Sequence, residues 1–317
     1  MKHVTLRQLK VFEALSRHLS FSRAAEELHL TQPAVSMQVK QIEEQAGLPL
    51  TEMVGKKVFL TAAGEEVARH ARRIAQQLRE ATEALDAIKG VRGGRLSVGA
   101  ISTAKYFTPR LLMEFRRRKP GIELNLSVNN RETVVRQLAD NEIDLAIMGK
   151  PPQELTTVAE AFADHPLVIV AAPDHPLAGS QQVAPALLAE EPFLIRESGS
   201  GTRATMERYF ADVGIAPLHL FEMVGNETIK QAVMAGLGLA FISAHSVALE
   251  CEVGRLVRLP VTGTPVIRRW YVVHRAEKSL LPVAETFREF LLAEAPGLMA
   301  DRPVGGQKMD ASSREER

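Results

Sequence analysis

The N-terminal segment carries apolar residues at helical spacing. They recur every three or four positions, which predicts an amphipathic helix of about three turns. These residues are Leu6, Leu9, Phe12 and Leu15. Ser22 has a side chain that favours a helix N-cap, so we expect a second, shorter helix over residues 23–28. His29 and Leu30 then form a tight turn.

A third helix is predicted to begin after Thr31. Thr31 can act as its N-cap, and Pro33 fits the first turn, where the missing N–H of proline costs nothing. One face of this helix is apolar, with Val35, Val39, Ile42 and Ala46. The other face carries Gln32, Ser36, Met37 and Lys40. Because Gln, Ser and Lys contact base edges and phosphates, the layout indicates a helix-turn-helix that reads DNA. Three packed helices with an ordinary solvated face are the alternative.

Much of this segment resembles the signature of LysR-type transcriptional regulators. The matching residues are Ser20-Phe21-Ser22-Arg23-Ala24-Ala25-Glu26-Glu27-Leu28-His29-Leu30-Thr31-Gln32-Pro33-Ala34-Val35-Ser36, then Ile42-Glu43-Glu44 and Leu60-Thr61-Ala62-Ala63-Gly64. The resemblance implies a winged helix-turn-helix domain over residues 1–62, with a wing at residues 56–60. The chain departs from the family at residues 50–53, where Leu-Thr-Glu-Met replaces the usual Leu-Phe-Glu-Arg, and this leaves the packing of the wing open.

The predicted DNA contacts combine the recognition helix with its N-cap, the start of the second helix and the wing. The two wing lysines would meet phosphates. The full set is Ser22, Arg23, Thr31, Gln32, Pro33, Ser36, Met37, Lys40, Lys56 and Lys57.

A long heptad pattern follows over residues 67–88, within a predicted linker helix at residues 63–90. Its apolar positions alternate in steps of four and three, with polar residues between them. They are Val67, Ala71, Ile74, Leu78, Ala81, Leu85 and Ile88. Because the apolar face is narrow, we expect it to pair with a second copy rather than pack on its own domain. The LysR resemblance implies a homodimer and commonly a homotetramer.

Beyond Gly93-Gly94, short apolar strands alternate with amphipathic helices, which predicts an α/β body over residues 91–297. Residues 164–167 and 174–177 both read Asp-His-Pro-Leu and are interpreted as turns that flank a strand at residues 167–172. The resemblance implies two lobes like those of periplasmic binding proteins. Lobe I takes residues 91–163 and 266–297, and lobe II takes residues 164–265. Residues 298–317 are expected to form a flexible tail.

Four strand-to-helix turns of this body are candidates for binding a small-molecule effector. Ligands bind at the carboxyl ends of strands, beside helix N-termini that favour anions. The turns contain Ser102, Thr103, Asn129, Asn130, Arg131, Ser200, Gly201, Thr202, Arg203, Asn226 and Thr228. Ordinary capping is the alternative for each of them. Arg131 lies where the family often has Ser or Thr, and its charge suggests an anionic effector.

Further stretches resemble one LysR subgroup, the CbbR-type activators of RuBisCO operons. They are residues 31–40, 48–52, 129–134 and 144–152. This resemblance implies control of carbon-fixation genes, contact with RNA polymerase, and a phosphorylated metabolite or reduced nicotinamide nucleotide as effector. A regulator of another metabolic operon is the alternative.

Composition agrees with a DNA reader joined to a sensing body. Residues 1–95 hold 15 Lys and Arg against 11 Asp and Glu, although the whole chain has a net charge of only +1. A single cysteine, Cys251, excludes a disulfide framework within the chain. We find no apolar run of membrane-spanning length, no metal-ligand spacing and no catalytic motif. We therefore expect a cytoplasmic protein with no cofactor or metal, rather than an enzyme or a small-molecule carrier.

Overall fold

The computed structural model describes residues 1, 3–55, 57–88 and 93–299, without the side chains of residues 80, 83, 84 and 86–88. Lys56 and the predicted tail beyond Met299 lie outside the described residues. The N-terminal part forms three helices, a two-stranded wing and a long helix. In order they are α1 (Leu6–His18), α2 (Phe21–Glu27), α3 (Gln32–Ala46), β1 (Thr51–Val54), β2 (Lys57–Leu60) and α4 (Ala62–Ile88).

Helix α2 begins earlier than the sequence pattern predicted. Its N-cap is Ser20, which has extended backbone angles and accepts a hydrogen bond from the backbone N–H of Arg23. Ser22 lies inside the first turn, so its assignment as the N-cap was wrong. The reason is tertiary: Phe21, now the first helical residue, packs against the core of the domain. Local capping chemistry alone does not separate two serines that are two positions apart.

The wing packs through Leu50 and Val58, which are 0% and 7% exposed. At the position where the family usually has Phe, the Thr51 hydroxyl donates to the Glu43 carboxylate at 3.1 Å. The same carboxylate oxygen accepts from the backbone N–H groups of Leu50 and Thr51. Polar bonds to α3 therefore hold the base of the wing, while Met53 is 61% exposed.

The first turns of α4 pack on α1 in the same chain. Ala68 and Ala71 are 0% and 1% exposed, and Val67 packs against the N-terminal core. The apolar residues further along α4 are open: Ile74 is 38%, Leu78 41% and Leu85 56% exposed. The heptad pattern thus has two uses. Ala71 is buried and Val67 is partly buried within the protomer, and the later positions present the free apolar face.

The body is built on a nine-stranded sheet flanked by helices. Its elements are β3 (Gly94–Ile101), α5 (Thr108–Arg118), β4 (Ile122–Asn129), α6 (Arg131–Ala139), β5 (Leu145–Met148), β6 (Thr157–Ala171), β7 (Pro192–Arg196), α7 (Gly201–Asp212), β8 (His219–Met223), α8 (Asn226–Met234), β9 (Leu239–Ser243), α9 (Ala248–Glu252), β10 (Val257–Leu259), β11 (Val266–Arg275) and α10 (Pro282–Met299). Along the sheet the strand order is β4-β3-β5-β11-β6-β9-β7-β8, with β10 beside β6.

Two long antiparallel strands, β6 and β11, join the two lobes, and we call them the hinge strands. In lobe I, parallel strands β4, β3 and β5 lie beside β11. In lobe II, parallel strands β9, β7 and β8 lie beside β6. Each lobe has separate apolar clusters on the two faces of the sheet. The predicted two-lobed α/β body is confirmed.

The predicted turn at residues 164–167 is wrong, because these residues lie inside β6. Proline is uncommon in the interior of a sheet, so the sequence favoured a turn. In the structure Pro166 is opposite Ile267, and the ladder of β6 and β11 runs from the Val266–Leu167 pair to the Arg275–Thr157 pair with one irregularity at Trp270 and Tyr271. The second copy of the motif does form a turn, in which the N–H of His175 donates to the carbonyl of Ala172.

We predict that Gly64→Ala destabilises the N-terminal domain. A Cβ at Gly64 would lie 1.9 Å from the carbonyl oxygen of Leu50, so α4 and the wing must move apart. The expected loss in the free energy of unfolding is about 1–3 kcal/mol. Gly297→Ala is the matched control, because that helical glycine has no heavy atom within 4 Å of its Cβ position. Urea unfolding followed by circular dichroism measures both, and equal midpoints would contradict the packing described here.

Candidate functional site

The predicted reading face of α3 is exposed as a whole. Val35, Val39 and Ile42 point into the core. Opposite them the residues expected to meet DNA are all solvent-exposed: Thr31, Gln32, Pro33, Ser36, Met37 and Lys40. Thr31 holds the N-cap position with extended backbone angles, but its side chain makes no capping bond. Ser22 and Arg23, at the start of α2, and Lys57, in the wing, are exposed as well.

A charge cluster that sequence reasoning missed joins α1 to α2. Arg17 donates to the Glu27 carboxylate at 2.6 and 2.7 Å, and a His18 ring nitrogen lies 2.7 Å from the same group. The hydrogen bonds from Arg17 and His18 lower the pKa of Glu27 to about 2. The cluster fixes the angle between the two helices and leaves Arg17 paired within the domain.

A second missed contact connects the linker helix to lobe I. The Arg72 guanidinium lies 3.2 Å from the Glu142 carboxylate, which follows α6. Burial raises the pKa of Glu142, and Arg72 acts in the opposite direction. This ion pair is an electrostatic contact between α4 and the body.

The four predicted effector turns lie at the expected ends of strands and helices. Two of their residues are capping groups: the Asn130 side chain accepts from the backbone N–H of Thr133, and the Ser200 side chain accepts from that of Arg203. Ser102 and Thr103 begin a short 3-10 turn, and Asn129 contacts Gln137. Capping thus accounts for part of the set.

Thr103 and Asn226 come together across the two lobes. The Asn226 amide donates to the Thr103 hydroxyl at 3.4 Å and to Ser246 at 3.4 Å. The buried guanidinium of Arg196 donates to the Asn226 carbonyl oxygen. On the same side Tyr106 of lobe I donates to Glu227 of lobe II at 2.5 Å. The lobes are therefore in contact beside the N-terminus of α8.

Other predicted effector residues are not directed into this junction. Arg203 pairs with Glu207 and Glu222. Thr228 is exposed. Arg131 donates to Glu154 at 2.8 Å, and this hydrogen bond lowers the pKa of Glu154 to about 2. The positive charge that suggested an anionic effector is already balanced by a carboxylate.

Three residues of the hinge strands were missed: Arg268, His165 and Trp270. Arg268 donates to the carbonyls of Gly201 in lobe II and Gly149 in lobe I, at 2.8 and 2.9 Å. His165 stacks on Trp270 with ring centroids 3.9 Å apart. His165 was interpreted as part of a turn, so the sequence did not indicate that it lies in a strand. Arg268 is next to Arg269 in a strand of mixed polarity, and no sequence pattern distinguishes the two arginines.

Other classes of site receive no support from the described residues. They contain no group of His, Cys, Asp and Glu side chains able to hold a metal ion. None of the helices described is both long enough and apolar enough to cross a membrane.

A winged helix-turn-helix with an exposed reading face, joined to a two-lobed body, defines a DNA-binding regulator that senses a small ligand. Family models agree over both parts. Residues 6–65 match "Bacterial regulatory helix-turn-helix protein, lysR family", and residues 89–296 match "LysR substrate binding domain". The chain belongs to the LysR family of transcriptional regulators, which are not enzymes. The LysR-type prediction is confirmed.

Several characterised proteins are similar over most of the chain. A RuBisCO operon transcriptional regulator of Allochromatium vinosum is 54% identical, covering 92% of this chain and 97% of its own. The HTH-type transcriptional regulator CfxR of Cupriavidus necator is 47% identical, covering 96% and 98%. Among solved structures, the regulatory domain of Synechocystis PCC6803 CcmR in complex with 2-PG is 39% identical, with a TM-score of 0.58, covering 63% of this chain and 96% of that domain.

We predict that Arg131→Gln returns the pKa of Glu154 from about 2 toward its ordinary value of 4.5. Because the pair lowers a carboxyl pKa, its stabilisation is complete above the ordinary value and is lost as the pH falls toward 2. Carboxyl carbon NMR in a pH titration measures the change, with Glu154→Gln to assign the resonance. Arg136→Gln, on an exposed position of the same helix, is the control. An unchanged Glu154 titration in Arg131→Gln would show that Arg131 is free.

Proposed function

We propose that this protein regulates transcription of carbon-fixation genes, those of a RuBisCO operon, in response to a small anionic metabolite. The observation that carries the proposal is the 54% identity to a RuBisCO operon transcriptional regulator over 92% of the chain. Such a regulator acts in the cytoplasm, where the DNA and RNA polymerase are, and contact with the polymerase is part of the proposal.

The proposed DNA interface is the exposed face of α3 with the start of α2 and the wing. Gln32, Ser36 and Lys40 follow one another along that face, at the spacing that brings successive turns of a helix to base edges in a major groove. Arg23 and Lys57 flank the face and would contact phosphates. Lys56 belongs to the same proposal from the sequence alone.

The proposed dimer forms through the open part of α4. Ile74, Leu78, Ala81 and Leu85 continue the heptad pattern on residues that are exposed in the protomer. A second copy would cover them and hold two reading helices at a fixed distance, as a two-fold site on DNA requires. A homotetramer needs another surface, and β8 at the edge of the sheet exposes Leu220 and Phe221 at 50% and 46%. Pairing of this edge with the same edge of another copy is the proposed tetramer contact.

The proposed effector site is the cleft between the lobes, where the N-termini of α6, α7 and α8 follow three of the four turns. These turns contribute Ser102, Thr103, Asn129, Asn130, Arg131, Ser200, Gly201, Thr202, Arg203, Asn226 and Thr228. Free backbone N–H groups at helix N-termini favour anions. The effector is a phosphorylated metabolite or a reduced nicotinamide nucleotide, and the similarity to CcmR, whose regulatory domain was solved with 2-PG, supports the first class.

For the DNA interface, we predict salt-sensitive binding to the promoter of the RuBisCO operon. Lys57→Ala should reduce the slope of log affinity against log salt by about one, because one phosphate contact is lost. Lys119→Ala, an exposed lysine of the body, is the control and should keep the slope. Gel shifts at several salt concentrations, with random DNA for comparison, measure both. Equal affinity for promoter and random DNA at every salt concentration would exclude the proposed reading face.

For the dimer, we predict that Ile74→Asp with Leu78→Asp gives monomers, because two buried carboxylates would oppose each other in the seam. The control is Gln76→Asp with Arg79→Asp, which places the same side chains on the outer positions of the same helix. Light scattering measures the mass of each variant. A dimer of unchanged mass in the seam variant would contradict pairing through α4.

A further inference from the structure

We infer that the hinge strands themselves hold the anionic group of the effector, through the Arg268 guanidinium and the His165 imidazole. This inference rests on the proposed effector function and deepens it, because it assigns the anion to residues outside the four turns. The ligand group is an oxyanion, a phosphate or a carboxylate.

The first observation is a half-buried cation without a counter-ion. Arg268 makes no ion pair within the part of the chain that the structure describes, and its hydrogen bonds go to two carbonyls and the Thr205 hydroxyl. Burial lowers its pKa, yet an arginine stays charged near neutral pH. Three of its five N–H groups are used, which leaves Nε and one Nη2 hydrogen for an acceptor. A desolvated guanidinium with free donors is a site for an oxyanion.

Other arginines of the cleft differ in this respect. Arg131 pairs with Glu154, Arg196 with Glu197, and Arg203 with Glu222. Each of these charges is balanced by a carboxylate of the same chain. An incoming anion would have to displace a carboxylate to reach them, whereas Arg268 offers its charge without such a competitor.

The second observation is a buried imidazole without hydrogen bonds. His165 is 3% exposed, and neither of its ring nitrogens has a partner in the described chain. Burial, with His245 and Arg268 nearby, lowers its pKa well below the ordinary value, so the ring is neutral and has one N–H donor and one acceptor. Buried polar groups are almost always paired. An oxyanion that accepts from the N–H would satisfy the donor that the protein leaves open.

The two groups lie side by side at the level where the lobes meet. Arg268 and His165 are opposite each other in the ladder of the hinge strands, and such cross-strand neighbours have Cβ atoms about 5 Å apart. Gly149 lies against both: its carbonyl accepts from Arg268, and a Cβ there would come within 3.2 Å of His165 Nδ1.

The N-terminus of α7 completes the arrangement. Arg268 reaches the carbonyl of Gly201, the first residue of this helix, and Gly201 leaves room for the guanidinium, whose Nη1 would be 3.4 Å from a Cβ. The Ser200 cap uses the N–H of Arg203, so the N–H groups of Gly201 and Thr202 have no partner in the helix. A cation, a neutral donor and a helix N-terminus thus lie close to one another at the hinge and lobe II.

The single tryptophan of the chain gives a direct readout, because Trp270 stacks on His165. We would titrate the full-length protein with inorganic phosphate, 2-PG and NADPH, and follow binding by calorimetry and, for the first two probes, by Trp270 fluorescence. The variants are Arg268→Gln, Arg268→Lys and His165→Phe, the last of which keeps the ring stack and removes the nitrogens. Arg269→Gln is the matched control, since this neighbour is paired with Asp164 at the surface.

We expect saturable binding of at least one probe to the unaltered chain, with a change in Trp270 fluorescence. Arg268→Gln and His165→Phe should weaken this binding by about 10- to 100-fold. The affinity of Arg268→Lys should lie between that of these two variants and that of the unaltered chain, because lysine keeps the charge but not the planar fork of donors. Arg269→Gln should stay within about twofold, since this exposed charge is screened. Unfolding midpoints verify that each variant folds. If Arg268→Gln does not fold, the affinity of His165→Phe tests the hinge site.

Different results would overturn different claims. Undiminished affinity in Arg268→Gln and His165→Phe would overturn the hinge site while the effector function stands. If Arg131→Gln loses binding while Arg268→Gln and His165→Phe keep it, the anion binds at Arg131 and the hinge site is overturned as well. If the unaltered chain binds none of the three probes, both this inference and the proposed effector class fail.

Discussion

The antiparallel pairing of β6 with β11 is the constraint on which the body depends. Each strand begins in one lobe and ends in the other, so a single ladder carries both halves of the sheet. Leu167 and Ile169 at one end belong to the core of lobe II, and Trp270 and Val272 at the other belong to that of lobe I. Because these strands are continuous, β6 and β11 form the base of the cleft in both lobes. Closure of the cleft requires rotation of one lobe against the other about this pair of strands.

The charges around the cleft follow from the cost of burying an ion. A guanidinium removed from water needs a carboxylate or several acceptors, and most arginines here obtain a carboxylate from their own chain. Arg268 obtains carbonyl oxygens instead, one from each lobe, so it stabilises the contact between the lobes while its charge stays unbalanced. In the proposed site the same side chain would both support the contact between the lobes and bind the ligand.

Helix α6 links the cleft to the DNA reader. Arg131 is its first residue, beside the cleft, and Glu142 follows its last turn and pairs with Arg72 of α4. Helix α4 in turn packs on α1 through Ala68 and Ala71. An ion pair thus joins α6 to the linker, and close packing of small side chains joins the linker to the reading domain.

The sequence by itself determined the elements whose signals are local. The apolar spacing of α1 and α3, the proline in the first turn of α3 and the alternation of strands and helices in the body all agree with the structure. The exposed reading face followed from the same periodicity, since a helix that buries Val35 and Val39 must turn Ser36 and Lys40 outward.

Tertiary structure decided what depends on partners distant in the chain. Because Phe21 packs in the core, Ser20 and not Ser22 is the N-cap of α2. Because α4 packs on α1, Val67 and Ala71 do not belong to the exposed part of the heptad pattern. Pairing with β11 made a strand of residues 157–166, which hold a proline, and placed His165 beside Arg268. The charge of Arg131 was visible in the sequence, but its pairing with Glu154, 23 residues away, was not. Residue type gives the chemistry of a side chain, whereas its availability is set by neighbours that only the folded chain brings together.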